Sequence, residues 1–242
     1  MGIRTWLKGL RGRGPRVIGT SAGGSRLLKY GGGEFGRSRL GFAEDSPAEL
    51  VEERERVYEA LFGKCDFVYH EVLPFVPHVD VFTFPPNGDR TFHTLVTSGM
   101  SDLPMTSPRE LGVEYRRAEL VFYASEDREE YRELLRRLAH FPHDNRTWLH
   151  WGHTMPNGTP PELLFDSAVL DSLFFMPSIL TPDSGLGERL AWKGEPVNLL
   201  WCVPISAAEC SLKLERGADA LYDLFQEKEH PFVFDRGRGS YV

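Results

Sequence analysis

Four of the eight histidines lie close together, as His140-Phe-Pro-His143 and His150-Trp-Gly-His153. Neutral imidazoles ligate zinc, and a pair spaced i, i+3 on one helix can share an ion. A metal-dependent enzyme using His140, His143, His150 and His153 is therefore one chemistry to weigh. The spacing lacks the HExxH pattern of zinc hydrolases, and Pro142 is expected to break the first pair out of regular helix. Phe141, Trp148 and Trp151 sit among the same histidines. Such amphipathic rings belong either to binding hot spots or to core corners where each indole N–H has a partner.

Other reactive side chains are explained more simply. Asp102, Asp144, Asp166, Asp171 and Asp183 fall near turns, where a carboxylate ordinarily bonds nearby backbone amides. Gly99-Met-Ser-Asp102 is not a nucleophile elbow, which needs Gly-x-Ser-x-Gly after a strand. Gly19–Gly24 lacks the Gly-Lys-Ser/Thr ending of a phosphate loop. Cys65, Cys202 and Cys210 match neither a zinc pattern nor a disulfide framework, which fits a reducing compartment. No cofactor motif is found.

The elements that must position these groups begin after residue 40. Ser46-Pro47-Ala48-Glu49 is a capping box expected to open a helix running to about Phe62. Asn87-Gly88 between Val79–Phe84 and Thr91–Val96 predicts a hairpin. Ala118–Ala124 reads as a buried strand. Tyr131, Leu134, Leu135 and Leu138 then mark an amphipathic helix from about Asp127 to His140. Thr159-Pro-Pro-Glu162 is expected to cap a short helical turn. Leu170–Leu180 and Val197–Ile205 read as strands, and Ser206-Ala-Ala-Glu209 as a second capping box. The helical region it opens aligns Leu214, Ala218, Leu221 and Phe225 on one face, and Pro231–Asp235 is expected to add an edge strand. Strands grouped between helices predict an α+β domain with a mostly antiparallel or mixed sheet.

Charge divides the 242 residues in two. Residues 1–40 carry nine bases and one acid, a net +8, and the remainder carries −15, together the formal −7 of the chain. Those forty residues also hold 11 of the 24 glycines, so most of this arm is expected to stay disordered. Residues 41–242 form the domain. No run of apolar residues is long enough to span a membrane. An acidic body repels nucleic acid phosphates and suits a basic protein partner.

The motifs Thr97-Ser-Gly-Met-Ser-Asp-Leu-Pro-Met105, Tyr115-Arg-Arg-Ala-Glu-Leu120, Trp148-Leu-His-Trp-Gly-His-Thr154 with Asn157-Gly158, Val197–Glu209 and Gly217-Ala-Asp-Ala-Leu221 resemble the Suppressor of fused domain family. The resemblance covers about residues 48–235 and leaves out the basic arm. It implies a non-catalytic protein-binding domain. Animal members sequester zinc-finger transcription factors of Hedgehog signalling, and stand-alone bacterial members look like immunity proteins that neutralise toxins. In length the chain is more similar to the bacterial form. The resemblance places partner contact at the helix end and loop holding Phe141, His150, Trp151, Gly152 and His153. At that loop the chain has His-Trp-Gly-His, where animal members carry an acidic residue beside the histidine. The expectation is a cytoplasmic immunity-type binder without cofactor, acting on a basic toxin, with neither nucleic acid nor membrane as its target.

Overall fold

The computed structural model describes residues 14–30, 39–40, 48–73, 75–88 and 90–242. Twelve strands and five α-helices are built from them. The strands are β1 (Arg16–Thr20), β2 (Arg26–Lys29), β3 (Arg39–Leu40), β4 (Phe67–Tyr69), β5 (Phe75–Val76), β6 (Asp80–Phe84), β7 (His93–Ser98), β8 (Arg117–Ala124), β9 (Thr154–Pro156), β10 (Leu170–Pro177), β11 (Ala191–Trp192) and β12 (Glu195–Ser206). The helices are α1 (Ala48–Phe62), α2 (Glu129–Asp144), α3 (Leu186–Arg189), α4 (Ala207–Arg216) and α5 (Ala218–Glu227).

The main sheet runs in the order β4-β6-β7-β8-β12-β10-β9, with β11 paired to β12. All its pairings are antiparallel except β8 with β12, where Arg117 to Val121 align with Val197 to Trp201. Every residue of β8 is buried. A strand covered on both faces reads as a continuous apolar run, which is why Ala118–Ala124 lacks alternation. The pleat sends Leu120 and Phe122 to one side, against Leu134, Leu135 and Leu138 of α2. Val121 and Tyr123 point to the other, into a cluster holding Leu50, Tyr58 and Phe62 of α1 and Leu221 and Phe225 of α5. The result is the expected α+β domain, a mixed sheet with helices on both faces. No described helix is long and apolar enough to cross a membrane.

The Asn-Gly hairpin forms between β6 and β7, closed by mutual bonds of Asn87 and Arg90. Ser206 caps α4 reciprocally: its hydroxyl accepts from the Glu209 amide and its own amide donates to the Glu209 carboxylate. Ser46 and Pro47 of the first capping box lie outside the described residues.

Several expectations are corrected. Pro142 does not end its helix, because α2 runs through it to Asp144. The ring stands in the last turn, where its missing N–H removes one bond, and Asn145 caps Phe141 with both its backbone and side-chain amides. Gly217, at φ 95°, splits the long helical region into α4 and α5. Thr159–Glu162 forms a turn without helix, and Pro231–Asp235 supplies only a single bridge from Phe234 to Ala124. Within the stretch expected to lack order, residues 16–29 pair as the hairpin β1–β2.

A candidate protein-binding face

Helix α2 delivers the first of the expected site residues. Its buried stripe carries Leu134, Leu135 and Leu138 and then, at its C-terminal end, His140 and Phe141. His140 Nε2 donates to Glu71 Oε1 at 2.7 Å and its ring meets Phe75 edge-on. His143 Nε2 donates to the carbonyl of Met100 at 3.0 Å. Burial lowers the His143 pKa to about 4, against the opposing pull of that bond, so the ring is neutral near pH 7. Phe141 is only 5% exposed. The Tyr30 ring covers it edge-on at 4.8 Å, while the Tyr30 hydroxyl lies 3.3 Å from Thr147 Oγ1.

The loop that follows is an aromatic corner. Trp148 and Trp151 are half-buried against the α2-side core. The His150 ring lies 4.9 Å from Tyr115 and 5.4 Å from Trp151, and 6.1 Å from His153. His150 Nδ1 donates to the Trp151 carbonyl. The indole nitrogens of Trp148 and Trp151 and Nε2 of His150 are buried without a hydrogen-bond partner. Each unsatisfied indole donor costs on the order of 1–3 kcal/mol, which a matching acceptor would recover, whereas His150 Nε2, with the ring proton on Nδ1, is an unfilled acceptor. The tryptophans thus pack as core rings yet lack the partners expected of a closed corner.

Gly152 has φ 80° and donates its N–H to the Phe175 carbonyl, and a Cβ there would press to 3.3 Å from Ala218 Cβ. His153 is fixed by backbone bonds to His150 and Phe175, and its ring packs on Trp148. Burial, followed by the neighbouring His150 and Lys213, lowers the His153 pKa to about 4. Lys213 of α4 is buried and its pKa is also lowered by desolvation.

The four histidines do not assemble a metal centre. His140 and His143 are committed to Glu71 and Met100, while His150 and His153 belong to the loop. Among the described residues no group of three or more His, Cys, Asp or Glu side chains is placed to hold a metal ion. Asp102 and Asp183 serve the core: Arg54 donates to Asp102 at 2.6 Å, and Arg90 and Tyr123 bond Asp183. Cys202 is fully buried and its thiol pKa is raised by desolvation, which makes it inert.

The Thr97–Asp102 motif is a structural knot. Glu119 of β8 accepts from the Thr97 hydroxyl, the Gly99 and Ser101 amides and the Ser101 hydroxyl, with Arg54 beside it at 3.5 Å. Gly99 stands at φ 126°, and any Cβ there would collide with the His78 carbonyl. Residue reasoning on the sequence missed Tyr30, Gly23 and Lys213 at this corner. Tyr30 and Gly23 sit in a glycine-rich stretch with no apolar period, and Lys213 reads as an ordinary polar helix position.

The fold and the corner together define an α+β domain with an aromatic corner beside the C-terminal end of α2. The family model of the Suppressor of fused protein (SUFU) matches residues 76–239, well over half of the chain, and the chain belongs to that family. Similar solved structures include a SUFU homologue from Neisseria gonorrhoeae, with TM-score 0.59 and 17% identity, covering 81% of this chain and 98% of that one. The Sufu–Fu complex structure aligns with TM-score 0.51 and 14% identity, covering 81% of this chain and 92% of that one. Drosophila Suppressor of Fused gives TM-score 0.49 and 12% identity over 83% of this chain and 52% of its own. No curated protein matches the sequence.

Proposed function

We propose that this chain is a non-catalytic binding domain that seats a basic protein on the corner formed by Phe141, His150, Trp151, Gly152 and His153, and that it acts as an immunity protein masking a toxin in the cytoplasm. The observation that carries the reading is the pair of buried, unpartnered indole donors of Trp148 and Trp151 within one aromatic corner, with the unfilled acceptor Nε2 of His150 beside them. Desolvated donors among aromatic rings are the arrangement in which a partner's carbonyl or carboxylate gains most. The net −15 of residues 41–242 favours a basic partner and disfavours nucleic acid. That a similar fold was solved as a Sufu–Fu complex supports protein binding as the mode of action. The three free cysteines agree with a reducing compartment.

The test is capture with the tagged full chain from its native host, read by mass spectrometry, alongside Trp151→Ala and His150→Ala chains. The expected result is one stoichiometric basic protein, toxic when expressed alone, rescued by the wild-type chain, and lost from both variants. A partner retained equally by both variants would remove the corner from the reading. Recovery of no protein with wild-type bait would overturn the binding function itself.

A further inference from the structure

The hairpin β1–β2 reaches from one end of this corner to the other. At its tip the Gly23 N–H donates to the Leu214 carbonyl at 2.8 Å. Gly23 lies so tightly on the α4–α5 junction that a Cβ would collide with the Gly217 amide. Gly217 precedes Ala218, the residue against which Gly152 packs. At the other end Tyr30 covers Phe141 and reaches Thr147. Between these anchors the hairpin is open to solvent, with Val17 60% and Ile18 58% exposed. Residues 14–30 contain Arg16, Arg26 and Lys29 and no acid, whereas residues 41–242 carry −15. The family match covers residues 76–239, so this segment lies outside the matched stretch.

We infer that residues 14–30 are a built-in, displaceable occupant of the partner face, and that a basic partner binds by lifting this strap off. This inference rests on the reading that the corner binds a partner. Narrow anchors hold the strap, Gly23 by close backbone approach and Tyr30 by ring packing, with Gly14 beside Arg146, so losing Gly23 or Tyr30 weakens its hold on the face. The strap is basic, as the proposed partner is, and it places an aromatic ring where that partner must reach Phe141. Tethering keeps its local concentration high, so a weak contact suffices to compete.

The probe is a fluorescent synthetic peptide of residues 14–30, titrated against full-length chains. Gly23→Ala and Tyr30→Ala chains are expected to bind it about tenfold more tightly than wild type, because their own strap competes less. A peptide carrying Gly23→Ala is expected not to bind any of the chains. Both substitutions fall on the peripheral hairpin, and circular dichroism with thermal unfolding checks that the domain is unchanged. Equal peptide affinity for wild-type and variant chains would overturn the strap, as would a Gly23→Ala peptide that binds like the native one. The peptide readout needs no partner, so a failed capture experiment counts against the functional reading alone. A captured partner with the same affinity for wild-type and Gly23→Ala chains would count against the strap alone.

Discussion

His143 and His153 illustrate how residue type and residue role separate. Both belong to HxxH pairs that invite a metal, yet each ring is pressed into the protein and held neutral, with a pKa of about 4 against an ordinary 6.5. The unfolded chain therefore binds more protons than the folded one between pH 6.5 and about 4. Stability contributed by these rings is fully present above pH 6.5, falls on acidification through that window, and levels off below about pH 4. Between pH 6.5 and 5 the loss is roughly 2 kcal/mol per histidine. Denaturant unfolding at these two pH values should show the fall, and His143→Asn should remove its share of the slope. An unchanged slope in that variant would mean that His143 is not the titrating group. His230, held near 4 by burial beside Phe225, adds to the same window.

At the scale of elements, the motifs that carry the family resemblance turn out to lock pieces together. Arg54 projects from α1 and bonds Ser98, Ser101 and Asp102, joining that helix to the turn after β7. Arg54→Met would leave Asp102 and Glu119 buried beside an apolar chain, and the expected cost is about 3–5 kcal/mol in denaturant unfolding. A cost below about 1 kcal/mol would show that the network is not what anchors α1. Ser206→Ala, which removes one half of the α4 capping box, should cost about 1 kcal/mol. Elements with local signatures were readable from sequence: the Asn87-Gly88 hairpin, the buried run around Leu120 and the Ser206 cap all formed. What escaped reading was settled partly by caps and breaks inside a helix and partly by distant partners. Pro142 stays helical because Asn145 caps the turn around it, and Gly217 breaks a continuous apolar stripe. The β1–β2 hairpin is ordered by Leu214, Gly217 and Phe141, all remote in sequence. The candidate corner was legible in its residue types, but the covering of Phe141 by Tyr30 was not.

At the scale of the whole molecule, charge and topology set how the chain meets its surroundings. If a basic partner approaches the −15 body, stopped-flow association should slow about tenfold between low and physiological salt, with dissociation little changed. A salt-independent rate would rule out steering by the body. The arrangement of the sheet has a different consequence, one of timing. The strand that joins the two halves of the sheet, β12, comes late in the chain, and its neighbours, β8 and β10, are both made before it. On the ribosome the first half can close only the β4-β6-β7-β8 ladder, with one side of β8 still bare. The two halves join in a single late step once Val197–Ile205 has emerged, and that step depends on contacts between residues far apart in sequence. Until then the nascent chain presents an open, apolar sheet edge, which makes the interval before the last strand emerges the period when chaperone protection matters most.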